Sequence, residues 1–179
     1  VWQAGYLYVA EQHRIVRFKA PSLTALALAK PEVLFDNLPD LGHHGWRYAG
    51  IGPDGMLYVS VGAPCNICRL KGLTGSIIRI KLTGGKPEVF TTGVRNSVGF
   101  DFQPGTGDMF FTDNGADGMG DDSPPDEFNY APKKGLWYGF PYFGGGHDRT
   151  PDLKGLKLPS TPTFPVVEFG AHVASLGVH

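Results

Sequence analysis

A short motif that returns about every 50 residues constrains the fold of this chain more than any other feature. Gly-x-Leu-Tyr-Val stands at Gly5–Val9 and again at Gly55–Val59, and a related Gly-Asp-Met-Phe-Phe occupies Gly107–Phe111. A period of this length marks blade-type repeats, whose units bury their apolar faces only by stacking on one another. Two further segments keep step with it. Arg14-Ile-Val-Arg-Phe-Lys19 is echoed by Ser76-Ile-Ile-Arg-Ile-Lys81, and Lys30-Pro-Glu-Val33 by Lys86-Pro-Glu-Val89. Apolar and polar residues alternate in the first pair, which is the period of a strand.

Each unit therefore reads as a hairpin, a third strand ending in a basic residue, and a fourth strand after a turn. The clearest hairpin joins Tyr48–Ile51 to Met56–Val61 through Gly-Pro-Asp-Gly. Gly and Pro supply the backbone angles of a tight turn there, and Asp can bond back to the main chain. A second hairpin spans Val98–Asn114. Four antiparallel strands per unit is the content of a propeller blade. A β-sandwich also spaces its strands and turns regularly, but the copied segments exceed what strand alternation requires. The expected fold class is all-β, a β-propeller present as an incomplete arc of about three blades.

Three blades do not close a propeller, which typically has four to eight. Residues 1–179 are expected to form one partial domain, a fragment of a larger propeller. The tail from Phe169 to His179 reads as the approach to another hairpin. An open arc is expected to leave unpaired strand edges at both ends and to self-associate.

The composition, with 26 Gly, 15 Pro and 12% aromatic residues, agrees with turn-rich β-structure. Leu23–Ala29 is the one segment with helical character and is read as a loop between strands. A net charge of -1, with no basic run, argues against nucleic acid as a partner. No apolar run reaches the length of a membrane span. The two cysteines form Cys65-Asn-Ile-Cys68. They follow a hairpin and do not open a helix, so a thioredoxin-like role is not expected, and two thiolates fall short of a structural zinc site. A local disulfide in an oxidising compartment is the favoured reading, and two buried free thiols are the alternative.

Polar groups recur at matching ends of the repeated strands. His43 and His44 precede the first hairpin, with Trp46 and Arg47 beside them; histidine is the side chain best matched to proton abstraction near neutral pH. Arg95-Asn96 precedes the second hairpin, where a guanidinium could hold a carbonyl or anionic oxygen as readily as serve in a surface ion pair. The segment Asp113–Glu127 carries five Asp, one Glu and three Gly within fifteen residues. Hard oxygen donors on a Gly-rich loop suit calcium, though the spacing is not that of an EF-hand. The aromatic run Leu136–Phe143 is read as blade core.

From Leu41 to Phe143 these motifs resemble, in order, the soluble quinoprotein sugar dehydrogenases, the glucose/sorbosone dehydrogenase family, with the closest likeness to its sorbosone-dehydrogenase-like branch. The matching residues are the His-Gly-Arg segment before Gly-Pro-Asp-Gly, Arg95-Asn96 before Gly-Phe-Asp-Phe, Asp113-Asn-Gly115, Asp126-Glu127-Phe-Asn129, and Gly135-Leu-Trp-Tyr-Gly-Phe-Pro141. The resemblance implies a six-bladed β-propeller that binds pyrroloquinoline quinone (PQQ) and Ca2+ and oxidises an aldose or related sugar to the lactone. It implies that His44 is the base that takes the hydroxyl proton while hydride passes to the quinone, with His43 as the fallback. It places Arg95 at a quinone oxygen, with Asn96 beside it as a cofactor-binding residue. It makes the main-chain carbonyls of Gly115 and Ala116 calcium ligands; the family has proline at the second position, and alanine preserves a main-chain ligand. The family's later blades supply basic residues that clamp the PQQ carboxylates, and these lie outside the chain. Residues 1–179 alone are therefore expected to hold part of a site and to be inactive. An external electron acceptor and a periplasmic or secreted location complete the expectation. The competing readings are a calcium-dependent propeller lactonase or similar hydrolase, which would activate water, and a non-catalytic propeller scaffold.

Overall fold

The computed structural model describes residues Val1–His179. Three four-stranded antiparallel sheets follow one another along the chain. The first is β1 (Trp2–Gln3), β2 (Tyr6–Ala10), β3 (Ile15–Lys19) and β4 (Pro31–Phe35). The second is β5 (Ala49–Ile51), β6 (Met56–Val61), β7 (Ser76–Lys81) and β8 (Glu88–Thr92). The third begins with β9 (Phe100–Phe102), β10 (Met109–Asp113) and β11 (Pro125–Ala131). The chain then makes β12 (Leu136–Trp137), β13 (Phe143–Gly145) and β14 (Asp148–Arg149) before β15 (Val167–Ala171) completes the third sheet beside β11. Strand β12 turns back and adds to the second sheet, parallel to β8, with Leu136 opposite Thr91 and Trp137 opposite Thr92.

The repeated motif has a physical reason in each sheet. Its glycine takes a left-handed backbone at the turn into the second strand, with φ of 78° at Gly5, 73° at Gly55 and 76° at Gly107. Residues with a Cβ are strained there. In the second sheet Asp54 bonds back as expected, accepting the Met56 N–H at 3.1 Å and the Tyr58 hydroxyl at 3.0 Å. The copied Arg and Pro-Glu segments are register partners. Arg17 lies opposite Glu32 and Arg79 opposite Glu88, with N–O distances of 2.8 and 2.9 Å. Such exposed pairs contribute at most about 1 kcal/mol each, so their effect is on register more than stability.

The middle sheet is covered on both faces. Leu57, Val59, Val61, Ile78 and Ile80 point one way and pack on Tyr8, Ile15, Leu34 and Leu38 of the first unit. Tyr58, Ile77 and Phe90 point the other way and pack on Phe100, Met109, Phe111 and Ala131 of the third. Alternation along β6 and β7 thus serves two cores, and both strands read as nearly continuous apolar runs. Tyr138 joins the second core and Phe140 and Phe143 are also buried, in keeping with the aromatic run as core material.

Three expectations are corrected. Sheets meet face to face, so the arc presents sheet faces at its two ends; strand edges lie along the rims. The end faces carry Trp2 and Val33 on one side and Val167 and Phe169 on the other, all exposed. Phe169–Ala171 is the fourth strand of the third sheet and not the approach to a hairpin, because β11 offers it a partner edge. Leu23–Leu26 forms one helical turn (α1), capped by the Ser22 side chain on Ala25 N–H at 3.2 Å.

Phe111 is fully buried and meets Tyr138 edge-on at 4.8 Å. Phe111→Ala is expected to cost about 3–5 kcal/mol, whereas Phe169→Ala on the exposed end face should cost under about 1 kcal/mol. Urea denaturation of both variants measures the difference. Equal losses would mean that the second core is not packed as described.

Candidate functional site

In a four-stranded antiparallel blade the link between strands two and three leaves from the same end as the link to the next blade. The loops 36–48, 62–75, 93–99 and 114–124 and the segment after β15 therefore gather at one end of the arc. They enclose a cleft of about 270 Å3 whose lining includes His44, Arg95, Asn96 and Gly115. Four of the five expected site residues thus line one cleft. The fifth, Ala116, is fully buried behind Gly115. His43 is exposed outside it, with its ring 6.1 Å from that of His44. Larger clefts lie beside Trp137 and between Phe102 and Phe128, but neither gathers His and Arg together.

His44 has a left-handed backbone, φ 47°, and packs against Gly62, where a Cβ would stand 2.8 Å from the His44 carbonyl oxygen. Its Nδ1 lies 2.8 Å from the Ala63 carbonyl. A carbonyl only accepts, so Nδ1 carries the proton and Nε2 of the neutral ring keeps its lone pair. Burial is the main cause that lowers the His44 pKa below the ordinary histidine value; the Ala63 bond opposes it, and the nearby Arg95 charge adds to it. Arg47 has a structural role. It donates to the carbonyls of His44 at 3.2 Å, Gln12 at 3.1 Å and Pro39 at 2.5 Å, tying down the loop that carries His44.

Arg95 is buried, and its guanidinium donates to Asn66 O, Asn66 Oδ1, Asn114 O and the Asp117 carboxylate. Beneath it the Asp113 carboxylate accepts the main-chain N–H groups of Arg95 at 2.7 Å and Asn96 at 2.5 Å. Asp126 does the same for Gly115 at 2.9 Å and Ser175 at 2.8 Å. Glu127 accepts from Gly146 N at 2.6 Å and Asn129 Nδ2 at 2.8 Å.

The acidic segment is thereby corrected as a carboxylate calcium loop. No three of its carboxylates converge on one point, because Asp113, Asp126 and Glu127 point inward as acceptors for main-chain N–H groups. The main-chain ligand set fares differently. The carbonyls of Gly115 and Ala116 receive no hydrogen bond, while Gly115 N is held by Asp126 and Ala116 N by the Gly144 carbonyl at 2.7 Å. Two fixed, unpartnered carbonyl oxygens suit a hard cation. Gly115 also has to be glycine, since a Cβ would meet the Pro125 carbonyl at 2.7 Å.

The cleft holds further residues that were not singled out from sequence as site residues: Asn114, Asp117, Asp126 and His172. His172 donates from Nε2 to the Gly120 carbonyl at 2.8 Å. Asn114 carried a signal in the Asp-Asn-Gly motif, Asp126 in the Asp-Glu-Phe-Asn motif and Asp117 in the acidic segment; His172 carried none. The cysteines are joined, Cys65 to Cys68, with their Cα atoms 6.0 Å apart.

Comparison with known proteins follows this geometry. The family described as Glucose / Sorbosone dehydrogenase matches residues 6–162, and the chain belongs to that family. An uncharacterized protein of Borreliella burgdorferi is 37% identical over 138 residues, 76% of this chain and 36% of that protein. The PQQ-bound aldose sugar dehydrogenase (Adh) from Streptomyces coelicolor superposes with a TM-score of 0.63 at 27% identity, over 92% of this chain and 48% of that one. The calcium structure of the Trichoderma reesei carbohydrate-active enzyme of family AA12 superposes with a TM-score of 0.75 over 97% of this chain and 55% of that one; at 18% identity the likeness is one of fold. The chain thus spans about a third of that relative and about half of each solved structure. The fold is the β-propeller of these dehydrogenases, and no helix is long and apolar enough to cross a membrane.

Burial, above all other causes, raises the Asp113 and Glu127 carboxyls well above the usual carboxylate range; the Asp126 charge adds to the rise at Asp113, and the Asp113 charge adds to the rise at Glu127. The unfolded chain releases these protons near pH 4 and the folded chain only at higher pH. The folded state therefore binds more protons in that interval, and the stability these groups contribute is lost as pH rises from about 4 into the neutral range and beyond. Glu127→Gln is expected to flatten that decline in urea midpoints taken between pH 4 and 9. An unchanged slope would show that Glu127 titrates as an ordinary carboxyl.

Proposed function

We propose that this chain carries the base and part of the cofactor site of a PQQ-dependent sugar dehydrogenase that oxidises an aldose or related sugar. The observation that carries the reading is His44, whose Nδ1–H is committed to Ala63 O and whose Nε2 is left free in the cleft that Arg95 lines. A base for a sugar hydroxyl needs that tautomer, and a depressed pKa keeps it unprotonated in mildly acidic surroundings. Family membership favours a dehydrogenase over a lactonase or a scaffold.

In this reading His44 Nε2 removes the proton of the anomeric hydroxyl. Arg95 presents positive charge to a cofactor oxygen, with Asn96 beside it. Gly115 and Ala116 offer their carbonyls to Ca2+. When bound, PQQ supplies the two-electron acceptor, which an external acceptor regenerates. The Streptomyces coelicolor enzyme is PQQ-bound and the Trichoderma reesei structure is a calcium form, which supports the same pairing here. The Cys65–Cys68 bridge supports a periplasmic or secreted setting, since disulfides persist in oxidising compartments.

On the whole protein supplied with PQQ and Ca2+, His44→Ala is expected to lower turnover roughly a hundred- to ten-thousand-fold and to leave PQQ binding within a few-fold. The acid limb of the wild-type kcat/KM profile should have its midpoint below about pH 6.5, because the free base is the active form and burial lowers its pKa. Full turnover in His44→Ala, or loss of turnover in His43→Ala instead, would reject the assignment.

A further inference from the structure

One residue outside the cleft lining makes more contacts to its arginine than any other. Arg95 Nε donates to the Asn66 main-chain carbonyl at 3.0 Å and Nη2 to Asn66 Oδ1 at 2.7 Å. Asn66 also grips the next loop: its Oδ1 accepts the Asp117 N–H at 2.8 Å and its Nδ2 donates to the Asp117 carbonyl at 2.8 Å. The second Nη2 hydrogen goes to Asp117 Oδ2 at 3.0 Å and one Nη1 hydrogen to Asn114 O at 3.2 Å. Of the five guanidinium donors one, on Nη1, is left without a protein partner.

The chemistry of the holder matters as much as its position. Arg95 has a side chain only 5% exposed, and the one carboxylate on it, Asp117, is 78% exposed and screened by solvent. Asn66 satisfies two donors and adds no negative charge, so the buried positive charge is held in place without being cancelled. Asn66 in turn lies inside the Cys65–Cys68 bridge. A bridge over so few residues takes little entropy from the unfolded chain. Its effect falls on the native loop, where it limits how far the Asn66 carbonyl and side chain can drift from the guanidinium.

We propose that Asn66, braced by the Cys65–Cys68 bridge, is the positioning residue for Arg95, fixing the guanidinium plane and sparing its charge for a ligand oxygen. The second half rests on the reading of the cleft as a quinone site; the first does not.

The test uses the 15N-labelled protein. The Arg95 Nη2–H resonances are identified by their loss in Arg95→Lys, and their hydrogen exchange is measured alongside the Kd for PQQ in the presence of Ca2+. The wild type is expected to show slowly exchanging Nη2 protons, since the Asn66 side chain accepts from Nη2 while its main chain accepts from Nε. Asn66→Ala, which removes the Nη2 acceptor, and the double variant Cys65→Ser/Cys68→Ser should exchange at least about tenfold faster and bind PQQ about tenfold more weakly, the size of one lost hydrogen bond to a charged group. Asn66→Asp keeps both acceptors and should keep the slow Nη2–H, yet still bind PQQ more weakly because its carboxylate cancels the charge. Slow exchange retained in Asn66→Ala, or, should that variant not fold, in the double cysteine variant, overturns the positioning role. Wild-type PQQ affinity in Asn66→Asp overturns the charge-sparing role. Exchange that responds as stated, with no PQQ binding by any form including the wild type, upholds positioning and rejects the quinone reading.

Discussion

The burial of the middle sheet on both faces is the constraint on which the rest depends. Its apolar side chains alternate between two cores, one shared with the first sheet and one with the third. A one-residue slip in β6 would send Leu57, Val59 and Val61 into the wrong core and Tyr58 into the other. The register of that sheet sets where its strands end, and the strand ends carry the loops that hold His44, Ala63 and Arg95. The site therefore inherits its geometry from packing some distance beneath it.

Between the core and the cleft lies a layer of buried carboxylates whose partners are main-chain N–H groups. Asp113 holds the 95–96 segment and Asp126 holds the 114–115 segment. Loops rich in Gly and Pro have few side chains with which to fix themselves, and a carboxylate accepting two N–H groups replaces the ladder bonds that a strand would have supplied. Burial raises proton affinity in that layer, at Asp113 and Glu127, and the N–H donors only partly offset it. On the cleft side the one carboxylate on the Arg95 guanidinium is that of Asp117, which is exposed to solvent.

Much of the fold could be read from particular residues. The repeated Gly marked the tight turn into each second strand, and the Arg and Pro-Glu copies marked the third and fourth strands of each unit; that the second sheet is covered on both faces does not follow from β6 and β7 alone, whose pattern reads as ordinary alternation. The Cys65–Cys68 pair, His44 and Arg95 were legible for similar local reasons, whereas Gly115 and the role of Asn96 came from the family resemblance. Other features depend on contacts between residues far apart in the chain. The inward turn of Asp113 is set by the backbone of residues 95 and 96, and no local pattern distinguishes it from the exposed Asp121 and Asp122. Asn66 looks like filler between two cysteines until Arg95, 29 positions later, is laid across it. The return of β12 to the second sheet leaves no trace in the alternation of two residues.

That return has a consequence for how the molecule is made. When β8 of a nascent chain has left the ribosome, the second sheet has its own four strands, but the outer side of β8 still shows bare N–H and C=O groups. Its cover, Leu136–Trp137, emerges only after the first three strands of the next unit. At roughly 5–20 residues per second that is an interval of seconds. During it a neighbouring nascent chain could pair with the open side of β8. The short strap β12 therefore acts late in biogenesis, as the closing stitch of a sheet begun long before it.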